Sequence, residues 1–234
     1  MSYRVDRQLM ENRKDPRIFC DHDDLSYRSR WNSSGSNRFN GAFYYSKEIV
    51  KNIIPRVKTE RRWVTINVYG KACDRAIVFI HNNLNPENYE WLRRFDDLIL
   101  VCGIPETVEK MAHLGHAVYL PLSVDVNEVK RFCVPYKTRD VAFVGRKAKR
   151  ADVEFPEGIA YLEGLPRTKL LPAMAEFRQV YAVGRTAIEA KILGCEVLPY
   201  DPRFPDPERW QVLDNTVAAG ILQDLIYKVD GWRL

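Results

Sequence analysis

The sequence predicts an α/β protein made of two parallel-stranded domains, and three observations lead there. Strand-like and helix-like patterns alternate through the first half of the chain. Ala76-Ile77-Val78-Phe79-Ile80 is continuously apolar, as a strand buried on both faces of a parallel sheet must be. The alternation then restarts at Asp140, which divides the chain into a domain of residues 1–122 and a domain of residues 123–234.

Taken in order, residues 1–16 are polar and charged and read as an irregular lead-in. Arg17–Cys20 is a short apolar run that breaks into Asp21-His22-Asp23-Asp24, the way a parallel strand ends in a site-forming loop. Residues 26–41 are rich in Ser, Asn, Gly and Arg, a long polar connection of the kind that works or moves. Phe43–Ile54 reads as a helix stopped by Pro55. Trp63–Val68 alternates as a strand, and the run at Ala76–Ile80 stops at the polar cluster His81-Asn82-Asn83. A helix over Pro86–Phe95, a strand over Leu98–Cys102, a helix over Pro105–Leu114 closed by Gly115 and a strand over Ala117–Leu120 complete a doubly wound domain.

In the second half, Asp140–Val144 and Gly158–Leu162 read as strands, with no proper helix between them because the intervening stretch is charged and holds Pro156. Thr168–Phe177 follows as a helix that tolerates Pro172, and Gln179–Val183 as a strand. Pro207–Val229 is expected to be a long terminal helix, with Val212, Leu213, Val217, Ile221, Leu225 and Ile226 on its apolar face.

Composition narrows the class. Hydrophobic residues make up 46% and charged residues 29%, ordinary for a globular chain. No apolar run approaches the ~20 residues that span a bilayer, and the first residues lack a signal-peptide core, so the expectation is a cytoplasmic protein without a transmembrane segment. The 5 cysteines are odd in number and form no C-x-x-C pair; Cys20, Cys102 and Cys195 fall in or beside apolar runs and read as reduced core thiols. A net charge of +5 suits an anionic ligand without demanding one.

The most informative stretch runs from Val183 to Pro199. Gly184 opens a short helix with Ile188, Ile192 and Leu193 on one face, Gly194 closes it, and the strand Cys195–Leu198 follows. Arg185 and Thr186 fall in the first helical turn, where free N–H groups and the helix dipole favour an anion. Glu189 lies one turn on, beside Arg185. That arrangement suits a phosphate at the helix start with ribose hydroxyls on the carboxylate. The same pair and glycines also fit a surface salt bridge between two caps.

This segment resembles the donor-binding signature of GT-B glycosyltransferases, in which a Gly-Arg turn precedes an acid-Ala helix, a Gly and an apolar strand. Leu120-Pro121-Leu122-Ser123-Val124-Asp125-Val126 is similar to that family's passage between domains, and Asp140-Val141-Ala142-Phe143-Val144-Gly145-Arg146 to the first strand and phosphate turn of its second domain. The three pieces occur in the family's order. The resemblance implies two Rossmann-like domains in a compact GT-B-like arrangement, with a long C-terminal helix that in the family often packs back across the first domain. It also implies a nucleoside-diphosphate sugar as donor, a UDP-sugar first among them, with no other cofactor. Gly145, Arg146 and Lys149 would meet the diphosphate; Gly184, Arg185, Thr186 and Glu189 would complete the donor site. Arg146, Lys147, Lys149 and Arg150 equally fit a solvated basic loop. Retaining members carry a second acid eight residues before the ribose-binding one; that position is Tyr181 here, which leans towards inversion.

An inverting enzyme needs a base for the acceptor hydroxyl. His22 is the first candidate, with Asp21 or another neighbouring carboxylate orienting it, Asp24 in reserve and His81 second. The acidic run also fits a solvent-facing turn or capping cluster. His113 and His116 read as structural. No catalytic metal is indicated. The sequence therefore reads as a metal-independent glycosyltransferase whose acceptor is open: a glycan, a lipid-linked acceptor or a modified DNA base. The alternatives are a catalytically silent nucleotide-sugar-binding protein of the same fold and a nucleic-acid-binding protein gripping phosphates with Arg28, Arg30, Arg38 and the loop from Arg146 to Arg150.

Overall fold

The structure is a computed structural model that describes residues 18–20, 45–46, 48–66, 72–80, 86–145 and 153–231. It is an α/β protein with two parallel sheets. Contacts gather the described residues before Leu122, together with Thr216 onward, into one compact unit, and Leu122–Asn215 into a second. No helix among the described residues is long and apolar enough to cross a membrane.

The first unit holds β1 (Ile18–Cys20), β2 (Arg62–Ile66), β3 (Ala76–Ile80), β4 (Ile99–Cys102) and β5 (His116–Tyr119), all parallel. Every residue of β3 and β4 is buried, as their unbroken apolar runs require. On one face Val78, Ile80, Leu100 and Cys102 pack with Leu92, Met111 and Leu114. On the other, the Trp63 and Phe79 rings stack at 6.3 Å and the Tyr45 ring meets Phe79 edge-on. The strands lie in chain order. A doubly wound domain needs a reversal of that order, and the described strands of this unit show none.

The described helical segments before Leu122 are short. The helix expected to stop at Pro55 becomes a π-helix over Ile49–Ile53, where Ile54 N–H reaches back to Ile49 O, then a 3₁₀ turn over Ile54–Arg56 that contains the proline. Pro86–Arg94 is 3₁₀-helical, and α1 (Pro105–Met111) ends before the expected Leu114. His113 bonds Glu90 at 2.7 Å, a structural contact.

The second unit carries β6 (Arg139–Gly145), β7 (Ala160–Glu163), β8 (Phe177–Tyr181) and β9 (Glu196–Leu198), with the helices α2 (Val126–Lys130), α3 (Arg167–Ala175) and α4 (Arg185–Ile192). Its sheet order is β7-β6-β8-β9, a true reversal. Residues 153–159 are not helical, as the charged, proline-interrupted stretch implied. Several boundaries differ from expectation by one to a few residues. Phe177 begins β8 instead of ending a helix, because it pairs with Arg139, whose guanidinium sits 4.4 Å from the centre of its ring.

The terminal helix is the larger correction. α5 covers Asn215–Asp230, not Pro207–Val229. Val124 N–H bonds Leu213 O and Asn215 N–H bonds Val124 O, so Leu213–Asn215 form a bridge at residues whose spacing looks helical. Val217 is exposed; Ile226 is buried as expected, and Ala218, Ala219 and Leu222 complete the buried face. From Thr216 onward the helix belongs to the first unit, where Gln223 exchanges hydrogen bonds with the backbone of Lys58.

Candidate functional site

The reversal in the second sheet lies between β6 and β8, which are hydrogen-bonded neighbours with Phe143 opposite Tyr181. Their carboxyl ends are therefore level, and the turns that leave them start side by side. In open parallel sheets this is where ligands bind. β6 ends at Gly145, where a Cβ would come within 2.8 Å of the Phe143 ring, so the strand end admits no side chain without displacing that ring. Arg146 and Lys149 lie outside the described residues, as do His22, Asp21, Asp24 and His81.

β8 leads through Ala182 and Val183 to Gly184, whose φ of 63° and ψ of −138° are reserved for glycine. Gly184 caps α4 with its carbonyl, which accepts from Ala187 and Ile188, while no side chain caps the helix start. Arg185 and Thr186 thus head a helix whose first N–H groups have no partner within it. The geometry is that of an anion cradle.

Glu189, one turn along, is only 4% exposed. Arg185 Nε donates to its Oε1 at 3.0 Å, and the Arg167 guanidinium approaches the same oxygen at 3.1 Å. Arg167 also reaches Glu128 at 3.7 Å. The Arg185–Glu189 pair read from the sequence is present, but it is buried, with 9% and 5% of the side chains exposed, so it is not a solvated surface bridge. Both of these guanidinium contacts fall on Oε1. The structure thus brings Gly184, Arg185, Thr186 and Glu189 to one helix start.

Arg167 was missed. It opens α3, where a cation opposes the helix dipole, and its two carboxylate partners offset that cost. A cation in a first helical turn directly after a proline was the signal available. Also missed was a cavity at the carboxyl ends of β8 and β9, lined by Ala182, Val183 and the segment from Pro199 to Trp210. Burial pushes the Tyr200 phenol there up to about 12, helped by the adjacent Asp201 carboxylate. Free Cys102 and Cys195 are buried as expected, and burial raises both thiols, Cys102 to about 12.

Fold and site define a class: an α/β protein with a ligand-type switch point at the end of a parallel sheet. Comparison with known proteins gives no match to a family model, a curated protein or a solved structure.

Proposed function

We propose that the chain is a glycosyltransferase of GT-B-like design that moves a sugar from a nucleoside-diphosphate sugar, a UDP-sugar first among the candidates, to an acceptor hydroxyl. The observation that carries the reading is the switch point: the strand ending at Gly145 and the strand leading to the Gly184 turn are neighbours across the reversal, and a buried carboxylate stands one turn behind Gly184. The α4 start would hold the diphosphate, Arg185 would balance the charge that grows as the sugar bond breaks, and Glu189 Oε2 would accept ribose hydroxyls. Arg146 and Lys149 would reinforce the diphosphate contact. His22, oriented by Asp21, remains the proposed base, with Asp24 and His81 behind it.

A second reading, a silent nucleotide-sugar-binding protein, draws on Tyr181: the position of a retaining enzyme's second acid holds an aromatic residue whose ring packs at 5.1 Å on Phe155. One experiment separates the two. Purified protein incubated with nucleotide sugars should bind a donor and release its nucleoside diphosphate slowly by hydrolysis, faster with an acceptor. Binding without release favours the silent reading, and no binding removes both. Arg185→Ala should weaken diphosphates more than the bare nucleoside; equal losses would deny it a phosphate role.

A further inference from the structure

The cavity beside the Gly184 turn has a volume of about 410 Å³, and its walls include Val183, Tyr200, Asp201, Phe204, Asp206 and Trp210. Its wall is prebuilt. The segment carries four prolines between Pro199 and Pro207, which limit its backbone freedom. Lys191 Nζ, from α4, donates to the carbonyls of Pro207 and Trp210 and ties the segment to the helix.

Two of the lining side chains bury a polar atom that makes no hydrogen bond, the Tyr200 hydroxyl and the Trp210 indole Nε1. The residues themselves are 9% and 4% exposed. An orphaned buried donor costs free energy, and an indole N–H can only donate, so a matching ligand brings oxygen acceptors. The charge of the wall sets a second condition. Asp201 and Asp206 both face this region, and no described lining residue is a cation; Arg203 holds the Asp201 carboxylate through two bonds of 2.8 Å, and Lys191 holds two carbonyls. A further carboxylate placed here would meet the repulsion of two carboxylates and, among the described lining residues, no cation.

We propose that this cavity takes the sugar ring of the donor and selects a neutral sugar over an acidic one. The inference rests on the nucleotide-sugar reading above. There the phosphates occupy the α4 start and the ribose turns towards Glu189, which does not line the cavity. Ala182 and Val183, immediately before the phosphate turn, open onto the cavity, so it receives the half of the donor on the other side of the diphosphate.

The test is calorimetry on the full chain with UDP, UDP-glucose and UDP-glucuronate, and with GDP, GDP-mannose and GDP-mannuronate for a guanine preference. On the base that binds, the neutral sugar nucleotide should bind at least about tenfold more tightly than the uronic one. Asp206→Asn should narrow that ratio. Trp210→Phe, which keeps an aromatic ring and removes the N–H, should weaken the neutral sugar nucleotide about three- to tenfold and leave the bare diphosphate within about twofold. Equal affinity for neutral and uronic forms, or a Trp210→Phe loss shared by the bare diphosphate, overturns the sugar assignment while nucleotide binding stands. Failure of every diphosphate and sugar nucleotide to bind overturns both.

Discussion

At Glu189 a single carboxylate oxygen faces two guanidinium groups, and all three side chains are largely buried, so the residue holds the α4 start together whatever it binds. Replacing it with Gln keeps the shape but leaves Arg185 and Arg167 without their shared counter-charge. Removing one member of a buried pair is costly, and Glu189→Gln should lower stability by about 1–3 kcal/mol in urea titration. Nucleotide affinity of the folded variant should fall as well; intact affinity would leave Glu189 as scaffold alone. The Arg185–Glu189 half of this cluster was legible because i, i+4 spacing is a local property. The Arg167 half was not, since it joins two helices, and nothing local encodes which residues meet across them. Tyr200 gives a pH signature. Its phenol is raised by burial from 10 to about 12, so the fold favours the protonated form. The stability this contributes is intact below pH 10 and is lost as pH rises from 10 to 12. Tyr200→Phe should therefore flatten the fall in melting temperature over that range, measured by circular dichroism, and an unchanged slope would show that other groups govern it.

At the level of elements, strands were read best where their burial is total. β3 and β4 are apolar at every position and were placed within a residue or two of their ends. Helix ends were read worst where a tertiary bond competes with periodicity. The spacing of Val212, Leu213 and Val217 is helical, yet the bridge between Val124 and Asp214 holds the chain extended until Asn215. The α4 start was legible because its signal is a glycine that the backbone requires. A Cβ at Gly184 would meet nothing closer than Leu122 Cδ1 at 3.8 Å, so the cost of Gly184→Ala is conformational, not steric. It should be about 1–3 kcal/mol. Because relief of that strain would turn the α4 start, diphosphate affinity should drop in the same variant; a stability loss without an affinity loss would separate the turn from binding.

Over the whole chain, the two units differ in what the sequence could say about them. The strands of the second sheet were placed near their observed positions, while their order, and with it the candidate ligand edge, was supplied by the structure. Membership of the terminal helix in the first unit was not readable from α5 itself, because it rests on distant partners, Lys58 and above all Arg61. That side chain is 1% exposed and binds Asp230 of α5 at 2.6 Å and Asp97 at 2.9 Å, while its NH1 donates to Asp97 O. Arg61 thus joins the chain's last helix to the turn before β4. Arg61→Met would keep much of the buried volume and remove the charge, leaving Asp97 and Asp230 partly exposed, at 13% and 32%, so water can recover part of the loss. A destabilisation of about 2–4 kcal/mol is expected, at or below the range for breaking a fully buried pair. Tryptophan fluorescence can localise it. Trp63 is buried in the first unit, and of the described tryptophans only Trp210 lies in the second. In a Trp210→Phe background the urea midpoint of the first unit should fall on adding Arg61→Met. In a background where Trp31, Trp63, Trp91 and Trp232 are all replaced by Phe, the Trp210 signal should keep its midpoint. Equal shifts in both backgrounds would show that the chain unfolds as one cooperative body, with Arg61 stabilising all of it.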